Sequence, residues 1–300
     1  MYKNFKELSN SIKGKPGTLV IAAAHDSHTL EAVYTAEWVF GLQYILVGNR
    51  EKILSISSEI GHDLESLNIV ECGDDLECAH KAVALIKDGS GDALMKGIID
   101  TGTLLKAVLD KDAGIRGSGT LSHLAILETP AYHKLIGITD GGMIPNPTLE
   151  QKADIVKNAS EFYQRIGYKK PMVAALCASE IESAKIQETV DAARLQKMSR
   201  DGELGQCLLE GPLSFDIAVS RESAEIKGFE SEISGETDIF LVPNITVGNV
   251  LAKGLIYWAE AKMAGCILGA KTPIVLTSRG ATTEEKLLSI MLSVLKDMKG

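Results

Sequence analysis

The sequence predicts an α/β protein built on parallel sheet, and three observations carry that prediction. Short apolar runs such as TLVIAAA and QYILVGN alternate with amphipathic helical stretches, the pattern of right-handed βαβ units. The rhythm changes once, from Ile115, where GIRGSGT leads into strand-like runs with no long helix between them. The chain then closes on PIVLTSRGATTEEK, residues 273–286: a buried-strand run, a polar glycine turn and a helix start.

Each element follows from its own residues. A short helix around residues 5–12 opens the chain, and TLVIAAA is a strand ending near His25. Asp26 or Ser27 caps the helix TLEAVYTAEWVFGL. QYILVGN, LNIVEC and DALMKG are further strands, each backed by a helix: REKILSISSEIG, DDLECAHKAVALIKDG and DTGTLLKAVLDK. LSHLAILETP and HKLIGITD read as two antiparallel strands that open a second domain. The helix TLEQKADIVKNASEFYQRIG, the strand PMVAALCAS and a long helical stretch around IQETVDAARLQKMSRDG resume the alternation. After CLLEGPLSFDIAVS, an irregular segment and DIFLVPN, a helix is expected from about Val247 to Ala264. The closing helix starts at Thr282 or Thr283, and Thr282 with Glu285 fits the S/T-x-x-E capping box.

Composition narrows the function. A chain of 300 residues is long enough for two domains with cores of their own. With 45% hydrophobic and 24% charged residues it is an ordinary soluble globular composition. A net charge of −9, with no basic aromatic stripe, argues against a nucleic-acid partner. The N-terminus has no apolar core of signal-peptide length. The most apolar helical stretch, NVLAKGLIYWAEAKMAGCILGA, carries Lys253, Glu260 and Lys262, so no membrane span is expected. Cys72, Cys78, Cys177, Cys207 and Cys266 are odd in number and scattered, and are read as free thiols in a reducing cytosol. Cys72 and Cys78 lack a matching second pair, and the histidines form no HExxH cluster, so no metal is expected. His25 and His28 are expected to line a loop or start a helix. A GxGxxG after the first strand, a Walker sequence and a GxSxG elbow are all absent.

In open parallel sheets ligands gather at the carboxyl ends of strands, and three such ends are rich in polar chemistry. In MKGIIDTGTLLK, Lys96 ends a strand, Thr101 and Thr103 lie at the next helix start, and Lys106 follows about one turn in. In VPNITVGN, Asn244, Gly248 and Asn249 mark a strand end and helix entry. In TSRG, Ser278 offers a hydroxyl, Arg279 a charged fork suited to phosphate, and Gly280 completes the turn before a helix N-terminus that favours an anion. Singly, each is what any capped helix start requires; together they point to one anionic ligand.

LMKGIIDTGTLLKAVL, LSHLAILETPAYHKLIGITDGGMIPNPTLEQKADI, EGPLSFDIAVS, DIFLVPNITVGNVLAKGL and GAKTPIVLTSRG resemble the phosphate acetyl/butyryltransferase family, nearest to its butyryl branch. The resemblance runs from about Leu94 to Glu285. It implies two α/β domains with a cleft between them, akin to the isocitrate and isopropylmalate dehydrogenases, drawn from residues 1–120 plus 265–300 and from 121–264. It implies reversible transfer of a short acyl group between CoA and phosphate, both as substrates, with no permanently bound cofactor or metal. A cytoplasmic homo-oligomer, at least a dimer, is also implied. Ser278 resembles the serine that stabilises the tetrahedral intermediate, and Arg279 the arginine that holds phosphate. The acetyl branch carries an aspartate base in the first turn of the last helix; Glu285 stands at the best-matching spacing, with Glu284 beside it. Lys106 replaces an anion-binding arginine, keeping the charge and losing the fork. Lys96, Thr101, Thr103, Asn244, Gly248, Asn249 and Gly280 are expected to line the substrate site. The acyl group is butyryl or a branched C4–C5 chain, with acetyl the near rival, and a non-catalytic sensor of acyl phosphate or CoA is the reading from another class.

Overall fold

A computed structural model of the chain describes residues 1–12, 17–117, 119–277 and 281–295. They fall into two compact units. One, the N-terminal unit, is drawn from Lys6–Ser118 and Ala264–Lys296; the other, the central unit, from Met1–Phe5 and Gly119–Met263.

The chain opens with α1 (Phe5–Ile12), and the N-terminal unit then alternates strand and helix. Its elements are β1 (Thr18–Ala22), α2 (Ser27–Phe40), β2 (Gln43–Gly48), α3 (Arg50–Ile60), β3 (Ile69–Glu71), α4 (Asp75–Lys87), β4 (Ala93–Lys96) and α5 (Thr101–Val108). Side-chain caps begin the helices: Asp26 accepts from the Thr29 N–H, Asn49 from Lys52, Asp74 from Glu77 and Asp100 from Thr103. Alternation along β1 divides the core. Leu19 and Ile21 join Leu46, Met95, Leu30 and Val33 in one cluster, while Val20 faces Gly91 on the other side.

The central unit begins with β5 (Ser122–Glu128), β6 (Ile136–Thr139), α6 (Leu149–Arg165), β7 (Met172–Leu176) and α7 (Gln187–Arg200). It continues with β8 (Leu208–Leu213), α8 (Phe215–Val219), α9 (Arg221–Ile226), β9 (Ile239–Leu241) and α10 (Ile245–Trp258). The chain ends with β10 (Lys262–Leu268), β11 (Ile274–Val275) and α11 (Thr283–Ser293).

In the N-terminal unit the strands run in the order β3-β2-β1-β4-β11-β10. All neighbours there are parallel except β10 and β11. In the central unit the order is β5-β6-β9-β7-β8; β5 and β6 are antiparallel, as the sequence predicts, and the rest are parallel. Ile138, Ala174, Phe240 and Val242 form the core under α8, with Leu251 and Leu255 of α10 packed against it. The buried Lys134 ammonium is held by Asp238 at 2.7 Å and by the Glu236 carbonyl at 2.6 Å. A second buried pair, Lys152 and Asp191 at 2.8 Å, ties α6 to α7.

Two expectations are corrected. The helix expected to reach Ala264 ends at Trp258. Glu260 turns to φ +51°, in the left-handed region, and the apolar run that follows is β10, paired with β11 through Ile267 and Ile274. Composition does not separate these two states, because MAGCIL suits a buried strand as well as a helix. The second correction is that Cys72 and Cys78 are joined as a disulfide. The chain leaves β3, turns at Gly73 and enters α4, which brings the two Cα atoms to 5.4 Å, within bridging range. Cys177, Cys207 and Cys266 form no disulfide, as expected.

Candidate active site

In the N-terminal unit, β11 runs parallel to β4, with Val275 opposite Met95. The strand leading to the TSRG turn therefore points the same way as the strand ending at Lys96. Ser278, Arg279 and Gly280 themselves lie outside the described residues. The Lys96 ammonium donates to the carbonyls of Gly97 at 3.1 Å and Ile99 at 2.9 Å, so its stem is fixed along the strand-end turn. Gly97 has to be glycine, because an added Cβ would lie 2.2 Å from the Ala23 carbonyl oxygen.

Thr101 starts α5, with Asp100 Oδ2 accepting from the Thr103 N–H at 3.1 Å. Thr101 is exposed and Thr103 half-buried. Lys106 is exposed in the last turn of α5, where a cation also suits the negative helix end.

At α11, Thr282 is the cap, and its hydroxyl accepts from the Glu285 N–H at 3.1 Å. Glu284 is exposed and Glu285 half-buried. Burial pushes the Glu285 carboxyl above its ordinary range, opposed by the Thr282 N–H and by Lys286. A carboxylate raised in this way is better matched to taking a proton near neutral pH. His25 is occupied in a turn: its Nδ1 accepts from the Asn49 N–H at 3.4 Å.

In the central unit, Asn244 caps α10 and accepts from the Val247 N–H at 3.1 Å. The Ile245 N–H is taken by the Pro145 carbonyl at 3.1 Å. Gly248 is buried because the turn after β6 crosses it; an added Cβ would sit 2.7 Å from Gly141 Cα. Asn249 is exposed one turn into α10. The structure thus groups Asn244, Gly248 and Asn249 at one corner, beside two residues to which sequence reasoning assigned no role.

Those two are Asp140, which is buried at the end of β6, and His123 on β5. Asp140 accepts three backbone N–H bonds, from Gly142 at 2.8 Å, Met143 at 2.9 Å and Ile144 at 3.1 Å. The signal available in the sequence was TDGG: an acid followed by two glycines is a turn whose carboxylate binds its own backbone. Among the described residues no group of His, Cys, Asp and Glu could hold a metal ion, and no helix is long and apolar enough to cross a membrane.

Residues 75–294 match the family model described as phosphate acetyl/butaryl transferase. The chain is 41% identical over 296 residues to the phosphate butyryltransferase of Clostridium acetobutylicum, covering 98% of each. It is 37% identical over 290 residues to the phosphate acetyltransferase of Thermotoga maritima, covering 97% of this chain and 98% of the relative. A branched-chain phosphotransacylase from Enterococcus faecalis matches with a TM-score of 0.83 at 35% identity, over 92% of this chain and 97% of that one. A 4-hydroxythreonine-4-phosphate dehydrogenase fold from Salmonella typhimurium, at 12% identity and a TM-score of 0.59 over 94% and 99% of the two chains, shares the fold alone. The alternating strands, the strand-end lysine and capped helix starts, and the match over 75–294 agree on one assignment: this chain belongs to the phosphate acetyl/butyryltransferase family.

Proposed function

We propose that the chain is a phosphate butyryltransferase, moving a C4 or branched C4–C5 acyl group reversibly between CoA and inorganic phosphate. The observation that carries this reading is the 41% identity to a phosphate butyryltransferase across nearly the whole of both chains. The likeness to a branched-chain phosphotransacylase supports the same acyl class. Transfer of acetyl is the second reading, favoured by 37% identity to a phosphate acetyltransferase. The two differ by a few methylenes, worth only about 1–3 kcal/mol of discrimination in a pocket.

In the forward direction phosphate attacks the thioester carbonyl, the carbonyl oxygen takes up negative charge, and the thiolate leaves. Ser278 stabilises that oxyanion and Arg279 holds the phosphate, roles that rest on the family resemblance of the TSRG turn. Lys96, Thr101, Thr103 and Lys106 complete the anion-binding side, with Asn244, Gly248 and Asn249 lining the site from the central unit. The resemblance implies an active site in a cleft between two α/β domains. Glu285, raised by burial, exchanges the proton with the CoA thiol, and Glu284 is the exposed alternative. Both reactants are held together, so orientation supplies much of the rate and no covalent acyl-enzyme is needed.

A cytoplasmic homo-oligomer is part of the proposal, and α10 supports the association. Lys253 is the single charged residue of that helix, and a helix apolar all round is normally covered. Val250, Tyr257 and Trp258 are nevertheless 65%, 81% and 91% exposed. Replacing Val250 and Tyr257 by Glu should shift the protein to a smaller species in sedimentation; unchanged sedimentation removes α10 from the interface.

The deciding experiment is thiol release from butyryl-CoA, followed with a thiol reagent with and without phosphate. Phosphate-dependent release is expected, faster with butyryl- or isobutyryl-CoA than with acetyl-CoA. Release that is faster with acetyl-CoA selects the second reading, and no release with any short acyl-CoA leaves a non-catalytic binder.

A further inference from the structure

His123 occupies a place that the transfer chemistry above does not use. The antiparallel register sets Leu124 opposite Thr139, so His123 falls beside Asp140, where β6 leaves the sheet. Thr139 Oγ1 donates to the His123 carbonyl at 2.9 Å and closes that corner. The three N–H bonds to Asp140 wind residues 140–144 into a tight turn. That turn lies on the imidazole: a Cβ added to Gly142 would be 3.0 Å from His123 Cγ and 3.3 Å from Nδ1.

The other side of the turn meets α10. Gly141 approaches Gly248 so closely that a Cβ on Gly248 would come within 2.7 Å of its Cα. One residue past the turn, the Pro145 carbonyl accepts from the Ile245 N–H at 3.1 Å. Contact therefore runs from the ring through the turn into the helix start that carries Asn244, Gly248 and Asn249.

The ring has an unusual feature. Its Nδ1 is buried and has no hydrogen-bond partner among the described residues. An unpaired buried polar atom costs about 1–3 kcal/mol, so its presence asks for a reason. Asp140 is the charged group that acts on the ring, and it favours the protonated form against the burial that disfavours it. Were the ring to become an imidazolium, its charge would compete with the three N–H groups for the Asp140 carboxylate.

We propose that His123 is a positioning residue of the acyl-transfer site: its neutral ring is the wall that holds the 140–144 turn against the first turn of α10, and so presents Asn244 and Asn249 to substrate in one geometry. The inference rests on the acyl-transfer reading. Burial lowers the His123 pKa, with Asp140 opposing. The fold therefore favours the neutral ring. That contribution is full above the ordinary histidine value of about 6.5 and is lost as pH falls through the lowered value.

Steady-state kinetics of wild type, His123→Ala and His123→Phe from pH 5.5 to 8 test the proposal. His123→Ala should raise the KM for acyl-CoA or phosphate about tenfold, with kcat within about threefold of wild type, because the wall is removed and the chemistry is not. His123→Phe refills the wall without a titrating group. It should recover most of the KM at pH 8 and lack the acid-side rise in KM expected of wild type. An unchanged KM in His123→Ala, or an acid-side rise that persists in His123→Phe, overturns the proposal. If His123→Ala does not fold, the pH profile of His123→Phe still decides. If wild type itself releases no thiol, the acyl-transfer reading fails. Hydrogen exchange then tests the positioning role separately: relative to the intrinsic rate, residues 140–144 must lose protection on the acid side in wild type but not in His123→Phe.

Discussion

The corners β4–α5 and β9–α10 are built by the same local rule and end differently. In each, a strand leaves the sheet and an Asx side chain caps the next helix: Asp100 accepts from Thr103 and Asn244 from Val247, both at 3.1 Å. In the first corner, α5 buries Leu104, Ala107 and Val108, and its opening residues Thr101 and Gly102 are exposed. In the second, the Ile245 N–H is taken by Pro145, and Gly248 is the one buried residue of α10. The first corner opens on exposed residues; the second spends its first N–H on fastening a neighbouring turn. Cap chemistry is local, whereas the availability of donors is decided by what packs alongside.

If the N-terminal unit carries the chemistry and the α10 corner the shape, substitutions in the two should fail in different ways. The largest effect is expected from Ser278→Ala, which removes the proposed oxyanion donor. Turnover should fall roughly a hundredfold to a thousandfold, with CoA binding by calorimetry largely retained; equal turnover would take Ser278 out of the mechanism.

Glu285→Gln should follow, with a loss on the order of a hundredfold. In wild type, activity should fall on the acid side as Glu285 takes up a proton, at a pH above the usual carboxylate range because burial raises its pKa. The Gln variant should lack that limb. The stability linkage has the opposite direction: a raised carboxyl favours the protonated form in the fold, so its contribution is full below the unfolded value and is lost as pH rises through the raised one.

Gly248→Ala should behave as a shape defect. The new methyl would meet Gly141 Cα at 2.7 Å and Val242 Cγ2 at 2.9 Å. We expect a loss of about 1–3 kcal/mol of stability in denaturant, and a raised KM rather than a lowered kcat. A variant with normal stability and a lost kcat would make the second corner catalytic and break the comparison.

The smallest effect, one of counting rather than rate, concerns the N-terminal unit. Unfolded without reductant, the chain should show three free thiols, Cys177, Cys207 and Cys266. All five would react if the bridge between Cys72 and Cys78 does not form in the isolated protein.

Much of the fold was readable because its signals are short in range. Apolar runs such as LVIA and YILV have few destinations other than a buried strand. Asp26, Asn244 and Thr282 stand one step before their helices, where a side-chain oxygen meets an orphan N–H. Lys96 at a strand end and Thr101 at a helix start were found by the same logic. The end of α10 was missed because residues 259–268 are as apolar as the helix before them, and pairing with β11 is what makes them a strand. His123 and Asp140 were missed because they are 17 positions apart in the sequence, and only the antiparallel register of β5 and β6 makes them neighbours.

By itself, then, the sequence determined the order of most strands and helices, many of their caps, and through its motifs the family and its acyl-transfer chemistry. These depend on contacts within a few residues and on residue types the reaction requires. Tertiary structure alone decided where α10 stops, that Cys72 meets Cys78, and that an imidazole backs the turn held by Asp140. Each of these is a contact whose free energy exists only once distant strands or successive elements have packed, and so leaves no periodicity along the chain.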